Sequence, residues 1–266
     1  MQPAQRTFAP ATPSGQQPWL SVVIPTYGRA KTLASHIAAV HACLCNDFPG
    51  RRFEIIVVND ASPDQTPAVL AELGARIPAV RILNLEQNLG QQAATRAGLA
   101  QADGAVAVTL DDDGKDDPAD IVRLVDLLSA GYDVVYGIPE HEADLAWHRR
   151  TGTVIKEALL GCLCHKPKGI RLTGFRALNR VTVDRIVADS RHHVYISATI
   201  LEKPVRIGQV EVTAPVRNAS GYSLAALARL LLRIALWYGP LYRLLARVTA
   251  PAATRPTAQV RPEIQS

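Results

Sequence analysis

Three consecutive aspartates, Asp111-Asp112-Asp113, follow the apolar run Ala105–Leu110. Carboxylates this close repel one another, and their charged forms need compensation by a cation or by solvent. A divalent ion with oxygen ligands, shared with a diphosphate, supplies that compensation. An acidic turn that helps to start the following helix is the plainer alternative, and spacing alone leaves both open. A second cluster, Asn59-Asp60-Ala61-Ser62-Pro63-Asp64, closes the apolar run Phe53–Val58. Asp60 can accept there from a base N–H or a ribose hydroxyl; alternatively, Asp60 and Ser62 form a turn and cap the next helix. Pro25-Thr26-Tyr27 ends a third run, Leu20–Ile24. Arginines recur in the second half at Arg149, Arg150, Arg171, Arg176 and Arg217. Singly they read as surface residues, whereas several converging suit a phosphate, whose oxygens match the guanidinium fork.

Other chemistries lack their signatures. No glycine-rich dinucleotide fingerprint and no GxxxxGK[ST] phosphate loop occurs, which removes the commonest dehydrogenase and NTPase readings. The Gly-x-Ser-x-Gly elbow of α/β-hydrolases is missing too. Cys43-Leu-Cys45 and Cys162-Leu-Cys164-His165 lack the spacing of common zinc modules. Each pair falls on a predicted helix, where neighbours two apart do not share a face, so inert thiols are expected.

The elements that must position these residues are legible as a pattern. The runs Leu20–Ile24, Phe53–Val58, Val80–Leu85, Ala105–Leu110 and Asp133–Tyr136 are short and β-branched. The first four are separated by helical spacing, as in Ala30–Leu44, where Leu33, Ile37, Val40 and Leu44 share a face. Strands apolar almost throughout and joined by helices imply an α/β fold with a mainly parallel central sheet covered on both faces. After the fourth strand, Asp117 is placed to cap a helix, Pro118 fits its first position and Asp120 suits its positive end. Ile121, Leu124, Val125 and Leu128 form its inward face, and Gly131 ends it. In open sheets of this kind ligands bind beyond the carboxyl ends of the strands. Three strands thus deliver polar clusters to one rim.

The chain is 266 residues long, enough for one α/β domain and too short for two ordinary ones. Apolar residues at 48% and charged residues at 20% are compatible with a packed core and exclude wholesale disorder. Aromatics at 5% argue against a stacking platform for single-stranded nucleic acid, and no nucleic-acid partner is expected. A net charge of +5 suits anionic partners such as nucleotides or phospholipid headgroups, although a solvated surface gives the same balance. Residues 1–18 are rich in Pro, Gln, Ala and Thr without the apolar core of a signal peptide, and read as a disordered leader. Residues 249–266 share that composition and read as a loose tail.

The segment 224–247 is strongly apolar but interrupted by Arg229, Arg233, Arg243 and Arg247. At about 100° per residue these fall near about 0°, 40°, 320° and 0°, on one face, provided Pro240 only kinks the helix. The apolar stretch between Arg233 and Arg243 is far below the roughly 20 residues needed to span a bilayer. An amphipathic helix over 223–248 lying in the membrane interface fits, its arginines toward anionic headgroups; packing on the domain or on another subunit is the alternative.

The segments VVIPTYGRAKTL, IIVVNDASPDQT, NLGQQAATRAG, VAVTLDDDGKDDP and GYDVVYG, in that order, resemble the family 2 glycosyltransferases of the GT-A fold. LTGFRALNRVTVDRI and VRIGQVEVTAPVRNASGYSLAALARL narrow the resemblance to the branch that transfers sugars to polyprenyl phosphates, including dolichol-phosphate mannose synthases and the undecaprenyl-phosphate aminoarabinose transferase. The resemblance covers roughly residues 20–248 and implies a GT-A domain over 19–222. It implies that Pro25, Tyr27 and Asp60 hold the base and ribose of a nucleotide-sugar donor, with Gln91 and Arg96 lining the donor pocket. Asp111 and Asp113 match the outer positions of a D-x-D motif that binds Mg²⁺ or Mn²⁺ on the donor diphosphate. Arg149 or Arg150, Arg176 and Arg217 become candidates for gripping the lipid phosphate or the diphosphate.

The implied reaction is an inverting displacement at the anomeric carbon, with Asp112 and Asp113 the candidate catalytic carboxylates. A phosphate acceptor is already anionic and needs no strong base; an alcohol acceptor needs one, and Asp112 is the nearest carboxylate. The implied setting is the inner face of the cell membrane, bound peripherally, with pairing of two copies through the C-terminal helix an open option. The pattern departs from the branch in four places. Asn59 replaces the first Asp of a D-D pair. Lys115 stands where the branch often has Gln beside the metal, so metal affinity is expected to be weaker or Lys115 to contact phosphate. The loop after Arg217 is shorter, and the two C-terminal transmembrane helices of many relatives are missing. A different acceptor, or a weakly active homologue that binds nucleotide or membrane, are the competing readings.

Overall fold

The computed structural model describes residues 17–140, 164, 166–189, 191, 195–213 and 236–238. The leader, the tail, Arg149, Arg150, Cys162, His165, Arg217 and all four arginines of the C-terminal segment lie outside the described residues.

The inner apolar runs become strands because almost every residue in them is shielded on both faces. β1 (Leu20–Thr26) is buried along its whole length, and β2 (Phe53–Asn59) in all but its first residue. β3 (Val80–Asn84), β4 (Val106–Thr109) and β5 (Val134–Pro139) complete the set expected from the pattern. Two further strands, β6 (Arg176–Asn179) and β7 (Ile207–Val212), were not legible as runs. The seven form one sheet in the order β3-β2-β1-β4-β6-β5-β7. β1 pairs in parallel with both β2 and β4, so their carboxyl ends share an edge. β6 alone runs antiparallel, inserted between β4 and β5.

Alternation along β1 separates two cores. Val22 and Ile24 face the helices α1 (Leu33–Asp47), α2 (Thr66–Arg76) and α4 (Ile121–Ser129), meeting Ile37, Leu70 and Leu124. Val23 faces the opposite layer of α3 (Gln91–Ala100), α5 (Arg180–Val187) and α6 (Ile196–Leu201), with Leu99, Ile186 and Ile200. The helix expected from Ala30 begins at Leu33 and buries the expected face, with His36 added to it. Asp117 caps as expected, accepting from the Ala119 N–H at 2.9 Å, and Pro118 opens a 3₁₀ turn, Pro118–Asp120, that runs into α4. Gly131 closes that unit at φ 104°, a conformation open chiefly to glycine.

The opposite end of the sheet is tied by polar groups. Glu54 accepts from Ser21 Oγ at 2.6 Å and from the Asp103 N–H at 2.9 Å, and pairs with Arg81. This fixes the amino ends of β1, β2 and β4 relative to each other, leaving the carboxyl ends as the open rim. Among the described residues no helix is long and apolar enough to cross a membrane. The turn 236–238 is helical, exposes Leu236 and buries Tyr238 against Cys164, Ala198 and Leu201.

Candidate functional site

The carboxyl ends of β1, β2 and β4 open into a cleft of about 420 Å³ lined by Pro25, Thr26, Tyr27, Arg29, Asp60, Gln91, Ala94, Asp111, Asp112 and Asp113. The size suits a small ligand. All three polar clusters singled out in the sequence meet here.

Asp60 is 3% exposed and its two oxygens accept from the N–H groups of Leu89 (2.7 Å) and Gly90 (2.8 Å). It therefore holds the start of α3 against the rim. Gly90 has φ 85°, a left-handed turn that presents both amides to one carboxylate. Asn59 accepts from the Ser62 N–H at 3.0 Å and donates to Asn84 at 2.9 Å. Ser62 in turn accepts from the Gly28 N–H at 3.1 Å, bracing the loop after β1. The start of α2 is not capped by Asp60 or Ser62, as the turn reading would have it; Asp64 takes that role, accepting from the Thr66 N–H at 3.0 Å. Ala61 sits at φ 54°, a left-handed conformation uncommon outside glycine.

The three aspartates splay rather than cluster. Asp111 accepts from Gln91 Nε2 at 2.6 Å. Asp112 accepts from the Tyr27 N–H at 3.4 Å and faces Arg29 Nε at 3.5 Å. Asp113 receives both the backbone N–H and the ammonium of Lys115, at 3.1 and 2.5 Å. Their electrostatics differ accordingly. Burial first, then the charges of Asp113 and Asp112, push the Asp111 carboxyl above the usual range, against the attraction of Arg176 and the bond from Gln91. For Asp113 burial also pushes upward, but the hydrogen bonds and charge of Lys115, with the charge of Arg29, carry its carboxyl below the usual range. His36, buried in α1, is held below its usual value chiefly by desolvation, against the Asp111 backbone and the charges of Asp112 and Asp113.

Carboxylate oxygens at this rim are the donor set of a hard divalent cation, and the under-compensated Asp111 is a group such a cation would relieve. Among the described residues no three His, Cys, Asp or Glu side chains gather as a complete ligand cage. Any ion here would take much of its coordination from a ligand.

Three expected residues stand elsewhere. Arg96, although on the same helix as Gln91, turns away and donates to the Val187 carbonyl at 3.2 Å. Arg176 is 2% exposed, and its guanidinium donates to Thr109 Oγ1 and Ser197 Oγ, both at 3.2 Å. It lies behind the rim, acting on Asp111 by charge. Arg171 is half-buried, its backbone N–H bonded to Gln209 at 2.6 Å, and lies outside the cleft lining. Cys43 and Cys45 are free thiols on α1, whereas Cys164 is buried in a bend, not on the helix expected for it.

Three contributors were missed. Arg29 partners Asp112, and its place after the Pro25-Thr26-Tyr27 cluster was the available signal. Gly174 lies where a Cβ would come within 3.0 Å of Asp111 Oδ1, so the bare backbone allows the carboxylate its position. Ser197, on a short helix far along the chain, left no signal.

The profile of glycosyl transferase family 2 matches residues 21–188. An undecaprenyl-phosphate 4-deoxy-4-formamido-L-arabinose transferase of Pseudomonas savastanoi pv. phaseolicola is 33% identical over 184 residues, 67% of this chain and 52% of that protein. Its namesake in Pseudomonas fluorescens SBW25 is 34% identical over 185 residues, 66% of this chain and 51% of the relative. The chain thus spans about half the length of the curated relatives it matches. Among solved structures, a mannosyltransferase from Pyrobaculum calidifontis in complex with GDP-Man and Mn²⁺ has a TM-score of 0.56 at 18% identity, covering 95% of this chain and 81% of that one. Mannosyl-3-phosphoglycerate synthase from Rubrobacter xylanophilus has a TM-score of 0.60 at 18% identity, covering 90% and 77%. These structures show the fold, the GT-A arrangement of nucleotide-sugar transferases. With the profile spanning β1 through α5 and the curated relatives above 30% identity, the chain belongs to glycosyl transferase family 2.

Proposed function

We propose that this protein transfers a glycosyl unit, with inversion, from a nucleoside-diphosphate sugar to a polyprenyl phosphate. The observation that carries the reading is the rim itself: three parallel strand ends place Asp60, Tyr27 and Asp111–Asp113 around one cleft, with Asp111 left under-compensated. Pro25, Tyr27 and Asp60 form the wall for base and ribose, and Gln91 orients Asp111 through its 2.6 Å bond. Asp111 and Asp113 are the residues that would hold Mg²⁺ or Mn²⁺, which when bound neutralises the departing diphosphate. Arg96 serves the pocket by tying α3 to the carboxyl end of α5.

Asp112 bears on the acceptor. It already accepts from the Tyr27 N–H and faces Arg29. An acceptor phosphate arrives already charged and requires no strong base. Arg149, Arg150 and Arg217 are the candidate grips for that phosphate, while Arg176 acts from behind the rim. If the segment is helical, the spacing of Arg229, Arg233, Arg243 and Arg247 puts them on one face, which would suit a peripheral position on an anionic membrane surface at the inner face of the cell membrane.

The test is in two steps. UDP, GDP and dTDP are each added with and without Mn²⁺ to the wild type and Asp113→Ala, and melting is followed. A ligand at about 100 times its Kd stabilises by about 2.7 kcal/mol. One nucleotide is expected to stabilise in a metal-dependent way that Asp113→Ala loses. Sugar transfer is then assayed with the matching nucleotide sugar and undecaprenyl phosphate in detergent. Label moving into the organic phase supports the acceptor, whereas label confined to a water-soluble product overturns it.

A further inference from the structure

We infer that Lys115 is a built-in counter-cation which a divalent ion must displace from Asp113, so that metal and nucleoside diphosphate bind cooperatively rather than in sequence. The inference rests on the metal-dependent transferase reading above. Both oxygens of Asp113 are occupied by this one residue, Oδ1 by the backbone N–H at 3.1 Å and Oδ2 by the ammonium at 2.5 Å. The fold builds the contact: Gly114 adopts φ 68°, turning the chain back so that Lys115 closes on the carboxylate two residues earlier. The pair is sheltered, with side-chain exposures of 30% for Lys115 and 21% for Asp113, so solvent screens it only in part.

The neighbouring carboxylates show what the ammonium is for. Asp111 has Gln91 as its direct side-chain donor and Asp112 has Arg29 at its flank. Without Lys115, Asp113 would repel both with only the charge of Arg29 to offset it. An ammonium cannot ligate a metal, because it has donors and no lone pair. A divalent ion on Asp113 meets this ammonium at close range, like charge against like, so its binding drives Lys115 off the carboxylate, and the displaced charge then needs an anion. The diphosphate that accompanies the metal is that anion, within reach of a flexible four-carbon stem at the cleft edge. Metal alone loses the ion pair without replacement, whereas metal with diphosphate exchanges one pair for another.

Binding is read directly, without turnover. Free Mn²⁺ is titrated by electron paramagnetic resonance against the wild type, Lys115→Gln and Lys115→Arg, each with no nucleotide and with UDP or GDP. The wild type is expected to bind Mn²⁺ weakly alone and at least about tenfold more tightly with the diphosphate, a factor equal to about 1.4 kcal/mol. Lys115→Gln is expected to bind Mn²⁺ alone about tenfold more tightly than the wild type and to lose most of the nucleotide enhancement. Lys115→Arg keeps a cation on Asp113 and is expected to behave as the wild type, which separates the charge from any general disturbance of the loop. Equal affinity of wild type and Lys115→Gln for Mn²⁺ alone overturns the inference while leaving the transferase reading standing. Absence of Mn²⁺ binding in all three proteins, with either nucleotide, overturns the metal reading and this inference with it.

Discussion

Replacing Asp111 by Asn is expected to stabilise the ligand-free fold while removing its response to metal and nucleotide. Burial, then Asp113 and Asp112, raise the Asp111 carboxyl above its ordinary value. A carboxyl raised on folding contributes stability that is fully present below its unfolded pKa and is lost as pH rises through the folded one. At neutral pH the charged Asp111 therefore opposes folding. Taking a carboxylate out of water carries a penalty of several kcal/mol before compensation. Gln91 and Arg176 offset part of it, at about 1–2 kcal/mol each for a hydrogen bond to a charged group and a nearby opposite charge. Asn preserves the shape and the acceptor for Gln91 at Oδ1, so the net gain is about 1 kcal/mol, or about 2–4 °C in Tm at this size. Melts of both proteins at neutral pH and at successively lower pH provide the assay. The gap should close as pH falls and the wild-type carboxyl takes up its proton. Asp113, whose lowered pKa makes its contribution vanish in acid, is present in both proteins and largely subtracts out. A variant that melts at or below the wild type at neutral pH, or a gap that widens in acid, would refute the account of the rim.

Three other substitutions probe separate links. Asp60→Asn places an amide N–H against the Leu89 and Gly90 amides in place of one acceptor, and is expected to lose about 2–3 kcal/mol in chemical denaturation, the scale of an orphaned buried donor. Unchanged stability would mean that Asp60 is free for a ligand alone. Tyr238→Phe removes the acceptor of the Tyr195 N–H at 2.7 Å and the partner of Thr199 Oγ1 at 3.0 Å. A loss of about 1–3 kcal/mol is expected, and none would show that the turn 236–238 is not docked in solution. Gly98→Ala tests helix–sheet contact, because its Cβ would overlap Val23 Cγ1 and approach Val58 Cγ2 to 2.8 Å. Overpacking of about 1–3 kcal/mol should outweigh the helix gain of about 1 kcal/mol, so a stabilised variant would contradict the packing.

What was legible in the sequence follows from where the determinants lie along the chain. β1, β2 and β4 announce themselves because parallel strands buried on both faces are mostly apolar, β3 because its apolar residues sit in one short run, and α1 and α4 because their buried residues recur at helical spacing. The rim followed from them, since polar residues directly after such strands have only one edge to occupy. β6 is four residues long and begins with an arginine, and β7 alternates at the sheet edge, so neither has an apolar run to mark it. The same cause misplaced Arg176. As a lone cation it reads as a phosphate grip, and only its register opposite Thr109 shows that it is held inside the sheet. The arrangement of Lys115 over Asp113 depends on the left-handed Gly114 between them, which the dipeptide alone does not dictate.

The part of the chain past the matched family region also bears on the site. Tyr238 docks on the amino end of α6 through Tyr195 and Thr199, with Arg191 stacked 3.9 Å over its ring and held by Asp189 and Glu202. From α6 two short routes lead to Asp111. Ser197 accepts from Arg176, whose charge draws Asp111 down, and the Ile196 N–H donates to Gln92, the neighbour of the Gln91 that bonds Asp111. One six-residue helix thus lies between the C-terminal turn and Asp111, the cleft carboxyl raised by burial. A chain trimmed to residues 21–188 would keep every cleft residue yet lose α6 and β7. Arg176 would then lose its bond to Ser197, and β5 would have an open edge where β7 pairs. Residues 21–188 therefore mark the part that matches the family, and the contacts that brace its cleft residues run further, at least to Tyr238.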